Sequence, residues 1–260
     1  TLCEITREIR DVIFETIDST DDYGELVAVR PRDITRKIDL KAEEALDVAL
    51  ENRGISARVI SEELGDRTLG GEPEFLLVFD PVDGSTNATC GIPFFCTSLA
   101  LCEKTTGATF NDVTMAAVTC IDGTTYSAVK NRGAFVNGKP IAEGKKGRRT
   151  KPVLTIYSYG AKTIPSGLIE LEKHVIQRVL GSIALEMCYV ADNRLDGIVE
   201  VRGLISSYDI MASQLILKEA GGRISDLKGG EIIRDAKATG MCFIATKNEQ
   251  LHTRILGYLR

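Results

Sequence analysis

The chain has 260 residues, 43% of them hydrophobic, and a formal net charge of -5 at pH 7. A chain of this length and composition can bury a sizeable core, as one large domain or as two closely packed halves, which excludes a linker or a disordered tail. The acidic balance argues against a general nucleic-acid binder, because binding to phosphate backbones needs a basic surface.

No stretch reaches the roughly 18 consecutive apolar residues that indicate a membrane helix. The N-terminal stretch TLCEITREIRDVIFET carries charges every few positions, unlike the apolar core of a secretion signal. We therefore expect a cytoplasmic protein with neither a membrane nor a nucleic acid as its partner.

The N-terminal part of the chain is predicted to form two helices and then an antiparallel sheet. Apolar residues at helical spacing predict helices over residues 2–18 and 34–52. The polar segment between them, residues 19–33, contains Gly24 and Pro31 and predicts a mobile loop. Period-two runs and turn dipeptides predict strands over residues 55–60, 74–79, 96–103, 112–121, 124–130 and 133–141.

The C-terminal part alternates strands with helices. The polar, basic segment 142–152 predicts a boundary, which divides the chain into an N-terminal α+β half, residues 1–145, and a C-terminal α/β half, residues 146–260. The two halves are expected to pack as one compact unit. Strands are predicted over residues 153–159, 175–180, 195–201 and 241–246, and helices over residues 166–174, 183–191 and 208–222 and at the C-terminal end. Such alternation is typical of a layered α/β fold.

The stretch EFLLVFDPVDGSTNATCG places two carboxylates at the end of a buried strand. Asp80 ends an apolar run, a proline then directs the chain out of the sheet, and Asp83 follows. Gly84 permits a tight turn, and Ser85 begins a short helix whose free N–H groups suit an anion. On this stretch alone a plain turn is an equally good interpretation, since Asp-Pro and Asp-Gly are common turn dipeptides.

Two further acidic positions resemble the first. Glu62 and Glu63 follow an apolar strand in RVISEELG, and Asp209 lies in the first turn of the apolar helix YDIMASQLILKEAGG. Asp209 is also explained as a helix cap. Three such positions without histidine or cysteine nearby nevertheless offer oxygen ligands only. That donor set selects hard cations such as Mg²⁺, which in proteins often also bind substrate phosphate oxygens.

The motifs SEE, DPVDGSTN and YDIMASQLILKEAGG, in this order, resemble those of the inositol monophosphatase superfamily of Mg²⁺-dependent, lithium-sensitive phosphatases. The resemblance extends from the first helix through GAFVNGKPI to EAGG. The stretches YSYG, VADNRLDGIVEVRG and YDIMA are closer to the archaeal enzymes that act on both inositol phosphate and fructose 1,6-bisphosphate. The resemblance implies a sugar-phosphatase fold with alternating α-β-α-β-α layers, and a homodimer.

The resemblance also implies roles for individual residues. Two or three Mg²⁺ ions, which Mn²⁺ can replace, would be held by Glu62, Asp80, the Val82 carbonyl, Asp83 and Asp209. Catalysis would involve Asp39, Glu62 and Ser85, with Asp39 and Ser85 orienting a metal-bound water and helping to deprotonate it. The backbone N–H groups of Gly84 and Ser85 would cradle the phosphate.

The implied substrate is a small phosphorylated polyol or sugar. Its contacts would be Ser182, Ile183, Glu186, Glu200 and Asp209, although the spacing from Glu200 to Asp209 is longer than in animal relatives. Arg194 and Arg202 flank the strand LDGIVEV and are expected either to bind a second phosphate, as fructose 1,6-bisphosphate requires, or to lie solvated at the surface.

Two alternative functions stay open. A 3′(2′),5′-bisphosphate nucleotidase of the same superfamily is disfavoured because such relatives tend to carry threonine-lysine-glutamate where this chain has Ser85-Thr86-Asn87. A catalytically silent regulatory homologue is disfavoured because all five matching acids are present.

Overall fold

A computed structural model describes residues 1–20, 22–30, 33–141 and 150–259. The helices are α1 (Leu2–Ser19), α2 (Lys37–Glu51), α3 (Ser85–Thr89), α4 (Leu168–Glu172), α5 (Ile183–Ala191), α6 (Ser207–Glu219) and α7 (Glu249–Leu259), with a 3-10 turn over Phe110–Asp112. The strands up to the predicted boundary are β1 (Leu26–Arg30), β2 (Asp33–Arg36), β3 (Ala57–Ser61), β4 (Gly65–Leu69), β5 (Phe75–Asp83), β6 (Cys96–Cys102), β7 (Val113–Cys120), β8 (Thr125–Val129), β9 (Ala134–Val136) and β10 (Lys139–Pro140). Beyond it come β11 (Val153–Tyr157), β12 (Ile176–Arg178), β13 (Gly197–Ile205), β14 (Arg223–Ser225) and β15 (Met241–Thr246).

Two large sheets form the framework. The first has eight strands in the order β10-β9-β8-β7-β6-β5-β3-β4, and the second has five in the order β12-β11-β13-β15-β14. In the first sheet β6 through β10 form the predicted antiparallel meander, and β5 pairs antiparallel with β6. The pair β3 and β5 runs parallel, so both strands end at the same edge of the sheet.

Helices cover both sheets, and three apolar cores separate the layers. Because side chains alternate along a strand, Phe79 of β5 joins Ile9 of α1 in the core between the first sheet and the helices α1 and α2. Val78 faces the opposite core, which α5 and α6 share with Phe243 of the second sheet. Ile255 of α7 belongs to the outer core on the far side of that sheet. The resulting order is α-β-α-β-α, as the family resemblance implied.

Some local structure differs from the predictions. Residues 19–33, predicted as a loop, contain β1, which pairs antiparallel with β2 in a separate two-stranded sheet. Strand β5 does not stop at Asp80 but continues to Asp83, with an irregular register between the two aspartates that accommodates the intervening proline. The strands β2, β4 and β14 were not predicted, and residues 34–36, predicted to begin a helix, belong to β2. Of the predicted boundary segment, residues 142–149 lie outside the described residues.

No helix in the described part of the chain is both long enough and apolar enough to cross a membrane.

Candidate metal and active site

Three of the predicted acids form one cluster. Glu62 directly follows β3, and its N–H donates to the Phe79 carbonyl of the parallel strand β5 over 3.2 Å. Asp80 lies on β5, and Asp209 lies in the first turn of α6, a helix that packs on β5 and β6. One carboxylate oxygen from each of Glu62, Asp80 and Asp209 lies within 4.8 Å of the others.

Asp80 is the most constrained member of this cluster. Its side chain is 1% exposed, and its Oδ1 atom is buried without a hydrogen-bond partner. Burial raises the pKa of Asp80 well above its ordinary value, and the neighbouring charges of Glu62, Asp83 and Asp209 raise it further. A buried carboxylate oxygen without a donor is costly, whereas a hard cation satisfies such an oxygen and offsets the repulsion among the acids. The residues present therefore fit a divalent cation with oxygen ligands.

Asp209 both caps a helix and belongs to the acidic cluster. Its Oδ2 atom accepts a hydrogen bond of 2.6 Å from the N–H of Ser206, the N-cap residue of α6. A carboxylate has about four lone-pair sites on two oxygens, so capping leaves acceptor capacity for a metal. The two interpretations of Asp209 considered for the sequence are thus compatible.

Asp83 lies near the cluster but is held mainly by α5. Its carboxylate accepts hydrogen bonds from the Ser182 hydroxyl at 2.5 Å, the Ala184 N–H at 2.7 Å and the Ile183 N–H at 3.2 Å. Burial raises the pKa of Asp83, and these hydrogen bonds oppose that shift. Asp83 is not one of the three residues whose oxygens meet within 4.8 Å, so its role as a metal ligand stays a prediction. Val82, between the two aspartates, packs its side chain into the core beneath α1 and α2.

Gly84 makes the turn between Asp83 and α3. Its φ of 97° lies in the left-handed region, and an added Cβ atom would lie 3.1 Å from the Cβ atoms of Phe95 and Ser182. Both the backbone conformation and the close approach therefore require glycine here. The turn places Ser85 at the first position of α3.

Asp39 and Ser85, the predicted water-orienting pair, share one neighbour. Asp39 is 2% exposed at the third position of α2, and its Oδ2 atom accepts a 2.7 Å hydrogen bond from the Arg36 N–H. The guanidinium Nη1 of Arg36 donates to the Ser85 Oγ atom over 2.9 Å. Sequence reasoning did not single out Arg36. The only signal in the sequence was its place three residues before Asp39.

The predicted substrate contacts on α5 point into the protein. Ser182 and Glu186 are fully buried, and Ile183 is 5% exposed. Glu186 accepts hydrogen bonds from the Tyr157 hydroxyl at 2.5 Å, the Leu180 N–H at 2.7 Å and the Thr155 hydroxyl at 3.0 Å. Burial raises the pKa of Glu186 to about 7. In this conformation Ser182 and Glu186 bind other protein groups.

Glu200 and Arg202 form a buried ion pair with an N···O distance of 2.6 Å. The Arg202 guanidinium also lies over the rings of Tyr157 and Tyr159, at 4.3 and 4.6 Å from their centroids. With 10% of its side chain exposed, Arg202 is not the solvated surface residue that one interpretation expected. The Arg202 guanidinium therefore contacts Glu200 and two tyrosine rings of the protein itself.

Arg194 lies at the other end of α5 from Asp83. It follows the C-terminal end of that nine-residue helix, pairs with Asp192 at 3.0 Å, and lies over the Tyr189 ring at 4.6 Å. A helix of this length spans roughly 13 Å. The structure therefore does not bring Arg194 and Asp83 together.

Comparison with known proteins gives consistent matches along the whole chain. A family model described as "Inositol monophosphatase family" matches residues 2–260. A fructose-1,6-bisphosphatase/inositol-1-monophosphatase of Methanothermobacter thermautotrophicus is 36% identical over 249 residues, covering 91% of this chain and 88% of the relative. A fructose-1,6-bisphosphatase of Pyrococcus furiosus is 37% identical over 243 residues, covering 92% and 89%. Among solved structures, a Pyrococcus horikoshii protein with similarities to inositol-1 monophosphatase superposes with a TM-score of 0.79 at 28% identity, covering 99% of this chain and 96% of that one.

Proposed function

The chain belongs to the inositol monophosphatase family, and on that basis we propose that it is a metal-dependent phosphomonoesterase that hydrolyses inositol 1-phosphate, fructose 1,6-bisphosphate or both. The observation that carries this proposal is the acidic cluster. Glu62 follows β3, Asp80 lies on β5 and Asp209 lies in the first turn of α6, and the three carboxylates converge at one edge of the sheet. The cluster includes a buried Asp80 oxygen with no donor.

Mg²⁺ is the cation that we propose for the cluster, with Mn²⁺ as a substitute. Glu62, Asp80 and Asp209 would hold it, with Asp83 and the Val82 carbonyl completing the set by analogy with the family. A bound metal would lower the pKa of a water molecule and would stabilise the negative charge that develops on the leaving oxygen.

The remaining chemistry falls to the protein's own groups. Asp39 is proposed to accept a proton from the attacking water, and the Arg36 N–H fixes its Oδ2 atom at the start of α2. The Ser85 hydroxyl is proposed to orient the same water. The backbone N–H groups of Gly84 and Ser85 would bind a phosphate oxygen. The close turn that presents these groups requires glycine at position 84.

Inositol 1-phosphate is the first substrate to test. Fructose 1,6-bisphosphate carries a second phosphate that needs its own cationic contact, whereas Arg202 is engaged with Glu200 and two tyrosines. A change in those contacts on binding would be needed for Arg202 to serve that second phosphate. A homodimer and a cytoplasmic location are proposed by analogy with the family.

The test is phosphate release, with and without Mg²⁺, from inositol 1-phosphate, fructose 1,6-bisphosphate and adenosine 3′,5′-bisphosphate. Mg²⁺-dependent release from either of the first two supports the proposal and identifies the substrate. Release from the nucleotide alone would show that the proposed substrates are wrong, whereas the proposed metal-dependent hydrolysis would stand. The absence of release from all three would refute the proposed function and favour a silent homologue.

A further inference from the structure

Arg36 touches both residues proposed to handle the attacking water. It is the last residue of β2 and the N-cap residue of α2. Its backbone N–H donates to Asp39 over 2.7 Å, while its side-chain Nη1 donates to the Ser85 hydroxyl over 2.9 Å. The backbone and side-chain contacts are thus separate, and a substitution at this position changes only the second.

The Arg36 guanidinium differs from those of four other arginines that contact the protein. Carboxylate oxygens lie 2.5 to 2.7 Å from Arg53, Arg58, Arg67 and Arg202, on Glu8, Asp66, Glu43 and Glu200 respectively. Among the described residues, by contrast, none of the carboxylates forms an ion pair with Arg36, which is half-buried. A guanidinium has five N–H donors, and the contact with Ser85 engages only one nitrogen.

A half-buried cation without a carboxylate partner needs an anion or water to satisfy its donors. The planar fork of a guanidinium matches the oxygens of a phosphate group, and arginine binds phosphate in this way more specifically than lysine does. The side chain lies against the first residue of α3, directly after the turn at Gly84. The position of this cation and its unused donors are therefore suited to a phosphate group beside Ser85.

We propose that Arg36 is a phosphate-contacting residue of this enzyme, donating to a non-bridging phosphate oxygen of the substrate while it orients the Ser85 hydroxyl. This inference rests on the proposed function. The Ser85 oxygen accepts from Arg36 with one lone pair, which leaves its second lone pair and its own proton for the water and for a neighbouring acceptor. One side chain thereby links recognition of the phosphate to the orientation of the nucleophile.

A purely orienting role for Arg36 makes different predictions. A neutral donor of similar reach would orient Ser85 as well as a guanidinium does, whereas binding to a phosphate dianion depends on the positive charge. Arg36→Gln keeps a donor and removes the charge, and Arg36→Lys keeps the charge. Neither variant alters the backbone N–H that binds Asp39, so the start of α2 is preserved in both.

The experiment measures the dissociation constant of inorganic phosphate by calorimetry in saturating Mg²⁺, together with kcat and KM for inositol 1-phosphate. We expect Arg36→Gln to weaken phosphate binding and raise KM by about tenfold or more, and Arg36→Lys to change both by about threefold or less, as loss of a charge-assisted hydrogen bond implies. Arg53→Gln is the matched control, because it removes a positive charge at the other end of α2, where Arg53 pairs with Glu8.

Unchanged phosphate binding in Arg36→Gln, with only kcat reduced, would overturn the inference and leave Arg36 a positioning residue for Ser85. Equal losses in Arg36→Gln and in the Arg53→Gln control would also overturn it, since they would reflect net charge alone. Arg36→Met provides a second neutral variant if Arg36→Gln does not fold. Wild-type protein that binds phosphate but hydrolyses no substrate would refute the proposed function, while the binding comparison would still decide the role of Arg36.

Discussion

The hydroxyl of Ser182 donates a 2.5 Å hydrogen bond to the carboxylate of Asp83, joining two buried residues that lie 99 positions apart in the chain. Ser182 is the N-cap residue of α5, and Asp83 is the last residue of β5. The contact fixes α5 to the strand edge at which the acidic cluster lies. Asp83 in turn satisfies two backbone N–H groups of α5, at Ile183 and Ala184.

Ser182→Ala is expected to destabilise the protein and to weaken its affinity for Mg²⁺ more than its affinity for substrate. Loss of a buried hydrogen bond to a charged acceptor costs about 1–3 kcal/mol, and Asp83 would lose its shortest donor. Urea unfolding measures the first effect, and the Mg²⁺ concentration for half-maximal activity measures the second. Ser213→Ala is the control, because the buried Ser213 hydroxyl donates to the Ile210 carbonyl of its own helix, α6. An increase in KM alone would instead support direct substrate contact by Ser182.

Asp209→Asn separates the two roles of Asp209. Asparagine retains an oxygen that can accept from the Ser206 N–H, so α6 keeps its cap, but the cluster loses a negative ligand. We expect turnover to be abolished while the far-UV circular dichroism and the unfolding midpoint stay close to wild type. Asp83→Asn is expected to abolish turnover in the same way. Near-normal activity of either variant in saturating Mg²⁺ would contradict the assignment of these acids as metal ligands.

Asp80→Asn is expected to stabilise the metal-free protein while abolishing the stabilisation that Mg²⁺ provides. Burial and three neighbouring carboxylates raise the pKa of Asp80, so its charged form opposes folding. Removing that charge should raise the free energy of unfolding in EDTA by about 1–3 kcal/mol. In the wild type, added Mg²⁺ should raise the melting temperature by binding to the folded state. A variant that loses stability in EDTA, or still gains it from Mg²⁺, would contradict this account.

His252 provides a pH dependence that is independent of the active site. It is fully buried between Ser225 and Thr246, with N···O distances of 2.7 and 3.0 Å, and burial lowers its pKa to about 4. The unfolded chain binds a proton near pH 6.5 and the folded protein does not, so stability is fully present above pH 6.5 and falls as the pH is lowered towards 4. The loss attributable to His252 is about 3 kcal/mol. Urea unfolding from pH 7 to pH 4 measures it, and His252→Gln should flatten that part of the profile. An equally steep profile in the variant would assign the effect to other groups.

The acidic cluster was predictable because its residues stand where local sequence determines position. Glu62 follows an apolar strand, Asp80 ends an apolar run, and Asp209 lies in the first turn of an apolar helix, so their placement needs only the strand and helix assignments. The helix predicted over residues 183–191 agrees with α5 for the same reason, since a run between Ser182 and Asp192 that is apolar except for Glu186 marks both of its ends.

Features that depend on distant partners were not predictable. The strand β1 was missed because Gly24 and Pro31 indicate a loop, whereas its pairing with β2 is a tertiary contact. Arg36 was missed because it fell inside the helix predicted over residues 34–52, and because its partner Ser85 lies 49 positions away. The burial of Glu186 depends on Thr155 and Tyr157 of the second sheet. No local pattern contains that information.

The parallel pairing of β3 with β5 also bears on when the acidic cluster is completed during biosynthesis. Glu62 directly follows β3 and Asp80 lies on β5, and these two strands are close in sequence and need only a short connection to pair. Asp209 comes much later in the chain and reaches the cluster only when α6 has been synthesised and has docked onto β5 and β6. Because a nascent chain folds from its N-terminal end, we expect Glu62 and Asp80 to be brought together before Asp209 has been synthesised. Tight binding of a cation is therefore expected late in folding, after α6 has docked and the central helical layer is complete.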